Sequence, residues 1–237
     1  MNIVTNEKTI QRNKRIGSIA TIGSILLFGA GIWFTTAVKD PVIINQYIWV
    51  VYGTLIIGFI GSQIGISLGN RFGRTPRMDE RVSAALKGMT KDYTLYHYVS
   101  PASHLLVGPA GIWALETYHQ RGTIVYEKNR YQQKGGGLLL GYLKIFAQEG
   151  LGRPDLDVES EFAGLKKLFK KEFSEDLPPL NAALVFLDPR AEINAEGAPY
   201  PALKPDGLKD LLRKAAKTNP LPAETIQRVN RLFHAEE

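Results

Sequence analysis

Two uncharged stretches near the N-terminus constrain this chain more than anything else in it. Ile16 to Val38 (IGSIATIGSILLFGAGIWFTTAV) and Tyr47 to Leu68 (YIWVVYGTLIIGFIGSQIGISL) contain no Asp, Glu, Lys or Arg, and only a short connector with Lys39, Asp40 and Pro41 separates them. Rising about 1.5 Å per residue as helices, each is long enough to cross roughly 30 Å of hydrocarbon. A cleaved signal peptide has a shorter apolar region and would leave the second stretch unexplained. Helices in the core of a soluble domain seldom run so long without a charge. The expectation is a membrane hairpin, with the lipid bilayer as the first partner.

The flanking cations orient it. Lys8, Arg12, Lys14 and Arg15 precede the first stretch and Arg71, Arg74 and Arg77 follow the second, whereas Lys39 stands alone in the connector. The positive-inside rule then places both termini in the cytoplasm, in a cell-membrane protein with two spans. Trp33, Tyr47, Trp49 and Tyr52 gather toward the connector, where amphipathic rings favour the opposite headgroup layer. The second span carries Gly61, Gly65 and Gly69 at four-residue spacing, and the first offers Gly17, Thr21 and Gly23. Small residues let helices approach closely. They either pack the hairpin against itself or join copies of the chain into a homo-oligomer. Neither span holds an ionisable Asp, Glu, Lys, Arg or His, so the usual signature of a transporter or proton relay is missing.

The 237 residues leave room for one compact domain after the hairpin. The chain divides into a basic N-terminus (1–15), two spans (16–38 and 47–68, together 16–68), a basic linker (69–78) and a soluble domain (79–237). There is no cysteine, which removes disulfides, thiolate metal sites and cysteine nucleophiles and suits a reducing compartment. A net charge of +6 favours an anionic neighbour, nucleic acid or acidic headgroups. After Pro76, Met78, Val82, Leu86 and Met89 recur at helical spacing, ending near Gly88. Short β-branched or apolar runs follow at Thr94–Val99, His104–Val107, Ile112–Glu116 and Thr123–Glu127, separated by Pro101, the turn GPAG at Gly108–Gly111, and Gly122. They read as an antiparallel meander. Helices are expected over Leu138–Gln148, Asp155–Phe173, Asp206–Lys217 and Ala223–Phe233, and a buried strand over Ala182–Leu187. The mixture is α/β or α+β.

The stretch Ser103 to Gly122, SHLLVGPAGIWALETYHQRG, resembles the NERD (nuclease-related) domain. That family's pattern runs Asp-His, an apolar strand, Gly-Pro-x-Gly, a second strand ending in Glu-x-Lys, and a Gly shortly after. His104, Gly108, Pro109, Gly111, Glu116 and Gly122 match it, and Glu80 stands on the preceding helix where the family has a glutamate. The likeness covers about Asp79 to Tyr131. It implies a restriction-endonuclease-like domain of the PD-(D/E)xK type, in which an Asp and a Glu hold Mg²⁺ and a Lys helps activate water. Mg²⁺ requires hard oxygen ligands, stabilises the charge developing on phosphate and lowers the pKa of bound water.

The chain departs from the pattern at the Asp, which is Ser103, and at the Lys, which is Tyr118. A hydroxyl is a poor Mg²⁺ ligand, and a phenol of pKa about 10 is neither a cation nor a ready base at neutral pH. Glu116 remains as the one metal ligand, and Glu116, Glu80, Ser103, Tyr118 and His104 make up a vestigial catalytic cleft. The expectation is a membrane-anchored nuclease-related protein without hydrolytic activity and without a cofactor, binding DNA, RNA or a protein partner. The alternative is a Mg²⁺-dependent endonuclease whose site is rebuilt from Glu80, Glu127 or Lys128. A third reading is a structural membrane protein whose soluble domain contacts lipid or itself. His104 and His119 lack a third ligand at metal-binding spacing and read as packed or solvent-facing imidazoles. Lys134 and Gly135–Gly137 match no nucleotide-binding fingerprint and read as a connector. Lys166, Lys167, Lys170 and Lys171, with Arg213, Lys214 and Lys217, read as solvated helix faces.

Overall fold

The computed structural model describes residues 1–135, 150–174 and 176–234, which form two compact units. One contains Lys8–Arg77, and the other takes in Met1–Glu7 and resumes at Met78. The helix expected over Leu138–Gln148, and Gly136 and Gly137, lie outside the described residues.

The first unit is a hairpin of α1 (Glu7–Ala37) and α2 (Pro41–Leu68). Both helices are long and apolar enough to cross a membrane. Each extends beyond its uncharged stretch, because a helix continues through polar residues until something ends it. Asp40 starts α2 by accepting a hydrogen bond from the Val42 amide at 2.9 Å, with Pro41 at the first helical position. A single π-helical turn, Gly69–Gly73, follows α2 and buries Phe72. The glycines mark where the helices touch. A Cβ on Gly65 would stand 2.3 Å from Thr21 Oγ1, one on Gly61 2.5 Å from Ser24 Oγ, and one on Gly58 2.9 Å from a Phe28 ring carbon. Gly69, the third in the series, has nothing within 4 Å. These contacts show close packing within the hairpin. Thr21 and Ser24 turn their hydroxyls back onto the carbonyls of Gly17 and Ala20, at 2.9 and 2.7 Å, so neither presents an unsatisfied donor.

The second unit is an α/β domain built on a six-stranded sheet, with a three-stranded sheet beside it. Strands β1 (Asn2–Thr5), β2 (Thr94–His97), β3 (His104–Gly108), β4 (Gly111–Tyr118), β7 (Leu180–Phe186) and β9 (Ala202–Leu203) lie in that order. β3 is antiparallel to its neighbours, while β1 with β2, β4 with β7, and β7 with β9 pair in parallel. The smaller sheet has the order β6 (Arg130–Lys134), β5 (Gly122–Glu127), β8 (Ala191–Asn194). Helices α3 (Met78–Ala85), α4 (Pro154–Phe173), α5 (Pro205–Thr218) and α6 (Ala223–His234) complete the unit.

Strand alternation sorts the core into two layers. Leu105, Val107, Ile112, Ala114, Leu184 and Phe186 pack with Val158, Leu165 and Phe169 of α4 and Val229 and Phe233 of α6. Leu106, Trp113, Leu115, Ala183 and Val185 pack with Val82 of α3, with Leu86 just beyond it, and with Leu208 and Leu212 of α5. β7, buried on both faces, is the continuous apolar run that a parallel interior strand requires.

Two expectations need correction. Residues 1–15 are not a separate basic arm: Asn2–Thr5 form an edge strand of the large sheet, and α1 already begins at Glu7. The meander also stops after three strands, since β5 leaves β4 at Gly122 (φ +91°) and pairs with β6 and β8 instead. The side of β4 away from β3 is taken by β7, whose parallel pairing runs from Ile112↔Leu180 to Tyr118↔Phe186.

Candidate functional site

The GPAG turn positions the site. Gly111 adopts φ +109°, which lets β3 reverse directly into β4 with Gly108 opposite Gly111 and Leu105 opposite Ala114. Glu116 and Tyr118 share the face of β4 that carries Ile112 and Ala114, toward α4. Extended outward by two residues, the register brings Ser103 opposite Glu116. The Ser103 amide donates to Glu161 Oε1 on α4 at 2.7 Å, and the Tyr118 hydroxyl donates to Asp157 Oδ2, one turn earlier, at 3.2 Å. Three of the five expected residues therefore face one spot, where two unexpected carboxylates join them.

Tyr118 fills that spot. It is buried, and its ring stacks on Phe186 with centroids 5.2 Å apart. Burial drives the phenol pKa far above its usual value, and the negative charges of Glu116, Asp157 and Glu161 push it further in the same direction. The hydroxyl therefore keeps its proton and acts only as a hydrogen-bond partner. Glu161 is buried as well, and its Oε2 has no hydrogen-bond partner among the described residues.

His104 and Glu80 lie elsewhere. His104 follows Ser103 directly, so alternation turns it to the opposite face, the side of α3. There it is 1% exposed, and its Nδ1 lies 2.8 Å from Nδ1 of the equally buried His97. His97 Nε2 contacts Ser83 Oγ of α3 at 2.8 Å, and His104 Nε2 reaches Thr117 Oγ1 at 3.4 Å. Thr117 donates to Met78 Sδ at 3.3 Å. Because a thioether only accepts, Thr117 donates to the sulfur, and with both imidazoles neutral the contacts then run from Ser83 to His97, His97 to His104 and His104 to Thr117. The pair is thus a buried hydrogen-bond relay, which bears out the packed-imidazole reading of His104. Glu80 is exposed on α3. Glu127 and Lys128 stand at the tip of the β5–β6 hairpin, where Glu127 is ion-paired with Lys134. His119, just past β4, is half-buried.

Among the described residues no group of three or more His, Asp or Glu side chains has the spacing to hold a metal ion. The carboxylates of β4 and α4 gather around a tyrosine hydroxyl and a backbone amide. Sequence reasoning missed Asp157 and Glu161, although a signal for the latter was present: Pro154, Val158, Leu165 and Phe169 mark the buried stripe of α4, and Glu161 interrupts it. A carboxylate at a core position implies a polar partner waiting there.

Fold and site together define a class of chain: an apolar helical hairpin joined to a mixed α/β sheet domain with a carboxylate and tyrosine cluster at the end of one strand. No protein-family model, curated protein or solved structure matches it.

Proposed function

We propose that this chain is a membrane-anchored, nuclease-related domain that has lost phosphodiester hydrolysis and holds nucleic acid at the cytoplasmic face. One observation carries the reading. Where the resemblance calls for a lysine beside a metal-bound carboxylate there is Tyr118, buried, protonated and hydrogen-bonded to Asp157. Such a group supplies neither the cation nor the base that metal-assisted hydrolysis requires. Binding is assigned to the solvated faces, since Lys166, Lys167, Lys170 and Lys171 are exposed on the second half of α4. The second reading is a Mg²⁺-dependent endonuclease with a rearranged site, although Glu116, Asp157 and Glu161 beside Tyr118 do not stand at metal-holding spacing.

The full-length protein, incubated with supercoiled plasmid and Mg²⁺ or Mn²⁺, is expected to leave the plasmid intact. Cleavage that Glu116→Ala abolishes would establish the second reading instead. Duplex binding through four phosphate contacts should weaken on the order of a hundred-fold between about 50 and about 200 mM salt. Reversing the four α4 lysines to glutamate should remove it, whereas salt-insensitive or absent binding overturns the nucleic-acid assignment.

Topology supports the location. β1 precedes the first apolar helix and β2 follows the second, yet they pair along Asn2↔Thr94 to Thr5↔His97. A sheet assembled from both ends of the hairpin argues for both ends on one side of the bilayer, and the flanking cations favour the cytoplasmic side. Since the chain has no cysteine, a single introduced thiol reports on this directly. In intact cells a membrane-impermeant maleimide should label Lys39→Cys in the connector and spare Asn129→Cys in the β5–β6 turn, and the reverse pattern would invert the orientation.

A further inference from the structure

At the end of the sheet away from Tyr118, about 23 Å along the eight residues of β4, a cavity of about 590 Å³ opens beside the GPAG turn. Local backbone constraints build it. Gly111 leaves the entrance clear, since a Cβ there would come within 3.1 Å of Asn181 Nδ2. Pro220 and Pro222 prevent α5 from continuing, and the Leu221 amide ties the resulting loop to the turn by donating to the Pro109 carbonyl at 3.0 Å. The loop therefore stands as a fixed wall facing the last turns of α5.

The lining has two chemistries. Trp113, Leu211 and Leu221 present apolar surface. Trp113 is itself largely buried and its one polar atom is already engaged, because Trp113 Nε1 donates to the Ala110 carbonyl at 2.8 Å, so the small part of the ring left exposed meets the cavity as apolar surface. At the rim stand Lys214, Asn219 and Asn181. Lys214 forms no ion pair, and the Asn219 side chain no hydrogen bond, among the described residues; Asn181 Nδ2 makes only a long contact of 3.4 Å to the Ile112 carbonyl. An apolar wall with a solvent-exposed ammonium and two amides at one side matches a molecule with a flat apolar body and a single negative end. The volume lies within the roughly 300–1,000 Å³ typical of small-molecule sites.

We propose that this cavity is a binding site for a small aryl carboxylate, its ring against Trp113 and its carboxylate at Lys214 and Asn219. The site is separate from the Tyr118 cluster and does not depend on the nucleic-acid reading.

Trp113 is the only tryptophan outside the hairpin, so in the full-length Trp33→Phe, Trp49→Phe protein in micelles its fluorescence reports on the cavity alone. Naphthalene carboxylate is expected to quench it saturably at one site. Lys214→Met, a substitution at an exposed position, should weaken binding about ten-fold, and the neutral naphthalene carboxamide should bind the parent protein about ten-fold more weakly than the acid. Ala215→Phe, which fills the cavity while keeping Lys214, should abolish saturation for both ligands. Non-saturable quenching, or an affinity unchanged by Lys214→Met, overturns the proposal.

Discussion

Gly65→Leu is expected to disrupt the helical hairpin, whereas Gly53→Leu, on the same helix, leaves it intact. The reason lies in what each new side chain would meet. At Gly65 a Cβ alone would lie 2.3 Å from Thr21 Oγ1, 3.0 Å from the Thr21 amide nitrogen and 3.2 Å from the Gly17 carbonyl oxygen. Two of those three atoms are backbone of α1, so no rotamer change relieves the contact and the helices must separate along this seam. Forcing extra carbons into a packed interface costs typically 1–3 kcal/mol, and here it also removes the close approach that supplies dispersion contacts between helices in lipid. We expect a loss of about 3 kcal/mol or more for Gly65→Leu. At Gly53 nothing lies within 4 Å, and the change should stay within about 0.5 kcal/mol. Unfolding in micelles by titration with a denaturing detergent, followed by circular dichroism, measures both. Equal midpoints for the two variants would mean that the glycine seam does not hold the hairpin together.

A fragment beginning at Met78 is expected to be markedly less stable than the same fragment with residues 1–6 rejoined through a flexible glycine-serine linker. The shorter piece contains every other described strand but lacks β1, which pairs with all four residues of β2. The Asn2 amide also donates to the Tyr93 carbonyl at 2.8 Å, the Asn6 amide to the His97 carbonyl at 3.0 Å, and Val4 packs on the core. Thr94, Leu95, Tyr96 and His97 are all buried in the intact protein, so without β1 their backbone edge opens to water and to other chains. A loss of about 2–3 kcal/mol in a domain of this size corresponds to a Tm lower by roughly 5–10 °C. Thermal melts and size-exclusion chromatography should show that drop together with aggregation, both reversed on rejoining residues 1–6. Identical melts would show that β1 contributes nothing to the sheet.

Part of the candidate site was open to reading before any coordinates. Period-two alternation already separates Ser103 from His104 and unites Glu116 with Tyr118, whichever sheet they occupy. The glutamate in the apolar stripe of α4 announces a buried polar contact. What no periodicity discloses is that Glu161 meets the Ser103 amide, 58 positions away, or that His104 finds a second imidazole in His97. Both contacts depend on which helix covers which face of the sheet.

The same division runs through the molecule. The extents of α4, α5 and α6, the apolar spans, the tight turn before β4 and the buried run of β7 follow from sequence because each is set by neighbours a few residues apart: hydrophobic spacing, a proline, a glycine free to take positive φ. Assigning Asn2–Thr5 to the large sheet, sending β5 to another sheet and choosing Thr21 and Ser24 to face Gly65 and Gly61 belong to the tertiary structure alone. Each of these joins segments far apart in the chain, and their pairing is settled by which surfaces fit and bury together rather than by any local preference.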